Sequence, residues 1–127
     1  MPQTDKQIKG EWGEDYAQRF LISNGYDIIE CNYRAGKMGE IDIIAWHKKS
    51  HFGKTLCFIE VKTRKFDDGS AERAVDFKKQ GHIFRVARAY CIDHGINIDR
   101  TPIQFEQISI YTRGGKSELR HYVIPVE

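Results

Sequence analysis

No apolar run in this 127-residue sequence approaches the roughly 20 residues of a membrane-spanning helix, so a soluble chain without a membrane partner is expected. The opening residues, M-P-Q-T-D-K-Q-I-K, lack the apolar stretch of a secretory signal, which makes a cytoplasmic location the expectation. Cysteine is sparse and odd in number. Cys31, Cys57 and Cys91 lie far apart with no C-x-x-C pair, which argues against a disulfide framework and a zinc ribbon and leaves buried thiols. The five histidines, His47, His51, His82, His94 and His121, show no ligand spacing. Repeats and low-complexity segments are absent as well, so residues 1–127 are expected to form one domain with 1–9 as a flexible lead-in.

Charge of either sign is also in short surplus. A net charge of +2 neither requires nor excludes a nucleic-acid partner. Positive side chains gather at Lys62, Arg64 and Lys65, and again at Lys78 and Lys79 with Arg85 and Arg88 beyond. On composition alone the plainer reading is a solvated surface of mixed charge.

Periodicity supplies the elements. Residues 11–24 place Trp12, Tyr16, Ala17, Phe20 and Leu21 on one helical stripe, and Gly25 is a stop signal. Glu14 falls about 20° from Leu21, at the edge of that stripe, so its carboxylate needs a partner. Residues 26–34 read as a strand leading into the turn R-A-G-K-M-G. E-I-D-I-I-A-W (40–46) alternates, with Glu40, Asp42, Ile44 and Trp46 on one face and Ile41, Ile43 and Ala45 on the other. Residues 55–62 form the next strand, and 40–62 reads as an antiparallel hairpin with a long loop. Phe66–Ser70 reads as a loop whose serine caps a short helical turn at A-E-R-A-V. A helix from about Phe77 to His94 aligns Phe77, Phe84, Ala87 and Cys91, with Ile83 and Tyr90 beside them, and Gly95 ends it. Two strands around a glycine turn complete the chain, and a change of apolar phase between Phe105 and Ile108 suggests a bulge. The order predicts an α/β fold, a sheet with helices packed on it.

The chemistry lies where apolar strands carry charge. In C-F-I-E-V-K (57–62), Glu60 and Lys62 share a face opposite Cys57, Ile59 and Val61. Asp42 is the corresponding polar residue of the neighbouring strand, and opposed residues of an antiparallel pair lie about 4.5 to 5.5 Å apart. Two converging carboxylates repel by up to about 4 kcal/mol at 4 Å in a partly buried setting. A divalent cation turns that repulsion into binding, because Mg²⁺ or Mn²⁺ prefers oxygen ligands and commonly uses one or two carboxylates with water and substrate phosphate. Lys62, about 6.8 Å along the strand from Glu60, is placed to orient water and to stabilise charge on phosphorus. The plainer reading is an edge-strand ion pair contributing about 0 to 1 kcal/mol.

Seventeen residues separate Asp42 from Glu60, and G-E-I-D (39–42) followed by F-I-E-V-K (58–62) resembles the D…(D/E)-x-K signature of restriction-endonuclease-like nucleases. With G-E-W-G-E-D-Y-A (10–17), N-Y-R (32–34), Ala74-Val75 and K-K-Q (78–80), the chain resembles the bacterial YraN-like family of predicted endonucleases, itself similar to archaeal Holliday-junction resolvases. The resemblance implies a restriction-endonuclease-like core, a mixed central β-sheet flanked by helices. It implies Asp42, Glu60 and the Val61 carbonyl as ligands of Mg²⁺ or Mn²⁺, Lys62 as the catalytic lysine, and Glu14 as an acid completing the site directly or through water. Gln104-Phe105-Glu106 departs from the Arg-Phe-Asp frequent in the family, which puts a role for that segment in doubt. Glu40 is either an auxiliary acid or only part of the turn. Arg34, Arg64, Lys78, Lys79 and Gln80 are candidates for phosphate contact.

The expected activity is metal-dependent hydrolysis of phosphodiester bonds in DNA, branched or damaged DNA included, with a homodimer as one possible form. The alternatives are a nucleic-acid-binding module that keeps a nuclease-like core and acts through a partner without turnover, and a purely structural protein.

Overall fold

The computed structural model describes residues 5–48, 53–65 and 81–125. Seven elements follow in the order α1 (Asp5–Ser23), β1 (Tyr26–Arg34), β2 (Glu40–Lys48), β3 (Lys54–Lys65), α2 (Gly81–Asp93), β4 (Ile103–Arg113) and β5 (Lys116–Ile124). The expected loop at Phe66–Ser70, the helical turn after it and residues 77–80 of the second helix lie outside the described residues. So do the candidate contacts Lys78, Lys79 and Gln80.

The five strands form one sheet in the order β1-β2-β3-β4-β5. β3 and β4 are parallel, and every other neighbouring pair is antiparallel. A parallel pair requires a crossover, and α2 lies in the one between β3 and β4. The result is the α/β fold the sequence predicts, a mixed sheet with helices, consistent with a restriction-endonuclease-like core. Among the described residues no helix is long and apolar enough to cross a membrane.

Each helix covers one face. Ala17 and Leu21 of α1 pack with Tyr26, Ile43, Ala45, Cys57, Ile59, Ile108 and Ile110. On the other face Ile83, Val86, Ala87, Tyr90 and Cys91 of α2 pack with Ile44, Leu56, Phe58, Phe105 and Ile124. Burying a leucine or isoleucine fully stabilises by roughly 1.5 to 3 kcal/mol, so the two clusters clamp β3 and β4 from both sides. Cys57 and Cys91 are buried, Cys31 is half-buried, and none is in a disulfide.

Four expectations change. Helix α1 begins at Asp5, ahead of the start expected at residue 11, and Trp12 remains 41% exposed beside Tyr16 and does not join the core. β4 has no bulge, because its pairing with β3 and β5 is continuous. All residues from Phe105 to Tyr111 are buried, and a strand covered on both faces loses the alternation that marks a half-buried one. The register shift lies instead in β1, between Ile28 and Glu30. Finally, Ile41 packs in the α2 cluster and not with Ile43 and Ala45.

Candidate functional site

Strands β2 and β3 are paired from Lys48↔Lys54 to Ile43↔Ile59, and there the ladder ends. One further step in the same register would set Asp42 opposite Glu60. At that fork the Asp42 carboxylate turns to the backbone instead, and Val61 N–H donates to its Oδ2 at 2.8 Å. The bond satisfies an amide that the parted ladder leaves without a strand partner, and it fixes Asp42 beside Glu60.

The carboxyl of Asp42 is pushed up to about 6. Burial is the main cause, and the charges of Glu14 and Glu60 add to it, while the Val61 amide and Lys62 oppose it. Glu60 is largely covered, with Lys62 Nζ at 3.1 Å and His82 Nε2 at 4.0 Å from its Oε1. The sequence thus places Asp42, Glu60 and Lys62 on neighbouring strands, and the structure brings them together. It adds His82, whose ring reaches the strand from α2. Gly39 makes room for it, at φ +132°, because a Cβ there would stand 3.2 Å from the His82 ring.

Glu14 comes from α1. Its carboxyl is raised by burial and by Glu40, and a hydrogen bond from the Asn32 side chain opposes the shift. Asn32 adopts φ +56°, an excursion asparagine tolerates better than most residues, and it falls between the Cys31↔Ile43 and Tyr33↔Ile41 pairs, across from Asp42. This role was not visible in the N-Y-R motif, since it depends on the backbone flip and on α1 lying overhead. Glu40 begins β2 and faces Arg34 at 3.6 Å, an exposed pair contributing about 0 to 1 kcal/mol. Arg34 therefore shares its charge with Glu40. Arg64 follows Lys62 on β3, and its buried Nε–H has no acceptor among the described residues.

The approach of α1 depends on Gly13. A Cβ at that position would collide with the Thr63 hydroxyl and touch Ile110 of the sheet. Gly13→Ala is expected to destabilise the protein by about 1 to 3 kcal/mol and to lift Glu14 away from Asp42. Gly10→Ala is the control: nothing lies within 4 Å of its Cβ, and alanine favours a helix by up to about 1 kcal/mol. Thermal melting of both variants checks this, and equal stabilities would show that the helix can recede without cost.

As donors for a metal, these groups are hard oxygens: the Asp42 and Glu60 carboxylates, the Val61 carbonyl and, from α1, Glu14. Among the described residues no group of three or more His, Cys, Asp or Glu side chains stands as a ready-made cage. Oxygen donors of this kind are those that Mg²⁺ and Mn²⁺ take, one or two carboxylates with the remaining positions filled by water and phosphate.

Comparison with known proteins agrees with the motifs. Residues 13–110 match the model of the family described as Uncharacterised protein family UPF0102. A UPF0102 protein of Caldicellulosiruptor bescii is 42% identical over 110 residues, covering 86% of each chain. One of Syntrophotalea carbinolica is 37% identical over 114 residues, covering 89% of this chain and 86% of that one. A third, from Clostridioides difficile, is 42% identical over 106 residues, 81% of this chain and 84% of its own. The matched segment carries Glu14, Asp42, Glu60 and Lys62, and the chain belongs to family UPF0102, the YraN-like family that its motifs resemble.

Proposed function

We propose that this protein is a divalent-metal-dependent nuclease that hydrolyses phosphodiester bonds in DNA. The observation that carries the reading is the fork between β2 and β3, where a raised Asp42 carboxyl, Glu60 and Lys62 meet with Glu14 in the same field. A buried carboxyl raised by desolvation and by neighbouring acids, as Asp42 is, imposes a standing cost on the fold, and such groups occur where charge is later neutralised by a ligand.

Asp42, Glu60 and the Val61 carbonyl would hold Mg²⁺ or Mn²⁺, with Glu14 reaching the site directly or through water. When bound, the ion supplies Lewis acidity toward the phosphodiester and lowers the pKa of water. The chain's own groups do the rest. Lys62, whose ammonium leans on Glu60, orients the attacking water and offsets charge developing on the phosphoryl oxygens. The Val61 N–H keeps Asp42 from rotating away. The likeness to junction resolvases extends the proposal to branched DNA and to a homodimer.

A second reading is favoured by the Lys62–Glu60 ion pair, which satisfies both charges without any ligand. On that reading the protein binds nucleic acid through a nuclease-like core and acts through a partner. Calorimetric titration of Mn²⁺ into wild type and Glu60→Gln separates the two. The nuclease reading expects binding by the wild type that weakens at least tenfold in the variant, together with Mn²⁺-dependent nicking of DNA. Equal binding, or none, removes the metal and the nuclease with it.

A further inference from the structure

We propose that Arg64 and Arg120, on either side of Tyr111, seat a backbone phosphate of the DNA beyond the one being cleaved. The inference rests on the DNA reading of the adjacent site and deepens it by giving the strand a direction across the sheet.

Three strands set side chains in rows whose β4 members, Gln107, Ser109 and Tyr111, are buried, while Lys62 and Arg64 on β3 are half-buried and Glu118 and Arg120 on β5 are exposed. On the face packed by α2, the apolar row Phe58–Phe105–Ile124 crosses β3, β4 and β5 under the helix. The next rows are polar: Glu60–Gln107–Tyr122, then Lys62–Ser109–Arg120, then Arg64–Tyr111–Glu118. Successive rows lie roughly 6.8 Å apart along the strands, so the last two start beside the catalytic groups and lead away from them.

Each member of the seat shows a reason to take an anion. The Arg64 side chain is half-buried, in register with Tyr111, and its Nε–H is enclosed without an acceptor among the described residues, so an incoming phosphate meets the rest of the guanidinium. Tyr111 is wholly buried and gives a rigid platform. The Arg120 guanidinium lies 4.9 Å above its ring, so the plane is held while its edge stays in solvent. The neighbouring acid, Glu118, meets Arg120 at only 3.5 Å with both side chains more than 40% exposed, an ion pair weak enough to exchange for phosphate. Glu60, the other acid of these rows, is held by Lys62. Two guanidinium groups flanking a tyrosine, continuous with the cleavage site, match the phosphates of one strand.

Fluorescence anisotropy in EDTA, with a labelled duplex and a labelled four-way junction over a range of salt, tests the proposal. Arg120→Ala is expected to weaken binding and to reduce the log–log salt slope by about one for each phosphate that is no longer neutralised. Glu118→Gln is expected to tighten binding, and Arg64→Lys, which keeps the charge and removes the planar guanidinium, to weaken it. Wild-type affinity and slope in Arg120→Ala with an unchanged melting temperature, or no gain in Glu118→Gln, overturns the seat. Wild-type binding in Arg64→Lys removes Arg64 from it. A loss confined to protection by inorganic phosphate also overturns it, since that would mark a site for the free anion. Turnover is assayed separately: its absence in the wild type sinks the nuclease reading alone, whereas turnover with an unaltered slope sinks the seat alone.

Discussion

Asp42→Asn is expected to raise the melting temperature of the metal-free protein at mildly alkaline pH while lowering turnover at least about a hundredfold. The Asp42 carboxyl is pushed up to about 6 by burial and by the charges of Glu14 and Glu60. Its unfolded value is about 3.9, so the folded state holds the proton more tightly. Stability therefore falls as pH rises through the window from about 4 to about 6, and above it the ionised group costs about 3 kcal/mol. Asparagine still accepts the Val61 N–H through its amide oxygen, and its NH₂ can donate to the acids around it. A divalent ion has the opposite effect on the two proteins. It should raise the wild-type melting temperature, most strongly above pH 6 where the carboxylate is ionised, and leave the variant nearly unmoved. Melting curves with EDTA and with Mn²⁺ across this pH range check both halves. An asparagine variant that melts below wild type in EDTA, or that still responds fully to Mn²⁺, would contradict the assigned role of Asp42.

The parts of this site that could be read from the sequence are those governed by short-range rules. The first strand runs Tyr26–Arg34 as expected, because Gly25 and the R-A-G-K-M-G turn bound it on both sides. The β2–β3 pairing followed from alternation, and with it the meeting of Asp42 and Glu60. Alternation fails where a strand is buried on both faces, as in β4, or where a ladder parts, as at Ile41. The remaining site residues depend on approach between elements. Asn32 acts through a positive φ, His82 through a tuck of the loop at Gly39, and Glu14 through the close contact of Gly13 with β3. No spacing along the chain encodes those distances. The Gln104-Phe105-Glu106 segment shows the same limit, since its departure from the family pattern said nothing of what Glu106 does.

His121→Ala is expected to cost about 3 to 5 kcal/mol at neutral pH, the largest stability loss of any single change considered. Glu106 is wholly buried in the sheet face beneath α1. Burial by itself would raise its carboxyl, yet donors from His121, Cys57 and Tyr26 outweigh that and hold it below the usual range. The Tyr26 hydroxyl donates at 2.7 Å and the Gln104 amide at 3.1 Å, while His121 Nε2 closes a short contact from β5. A carboxyl whose folded value is lowered contributes stability above its unfolded value of about 4.3, and that contribution is lost as pH falls through the folded one. Removing His121 leaves a buried carboxylate with one donor and its nearest cation-forming group gone. The deficit should accordingly be largest near neutrality and shrink as acid protonates the Glu106 carboxyl that the variant leaves without His121. His121→Gln, which restores a donor but not a titratable ring, should recover part of the loss, and adding Glu106→Gln to His121→Ala should recover more by removing the charge itself. Denaturant unfolding of the set near pH 7 and near pH 4 measures these differences. A deficit of equal size at both values would mean that Glu106 is already protonated at neutrality and that the contact with His121 is an ordinary hydrogen bond between neutral groups.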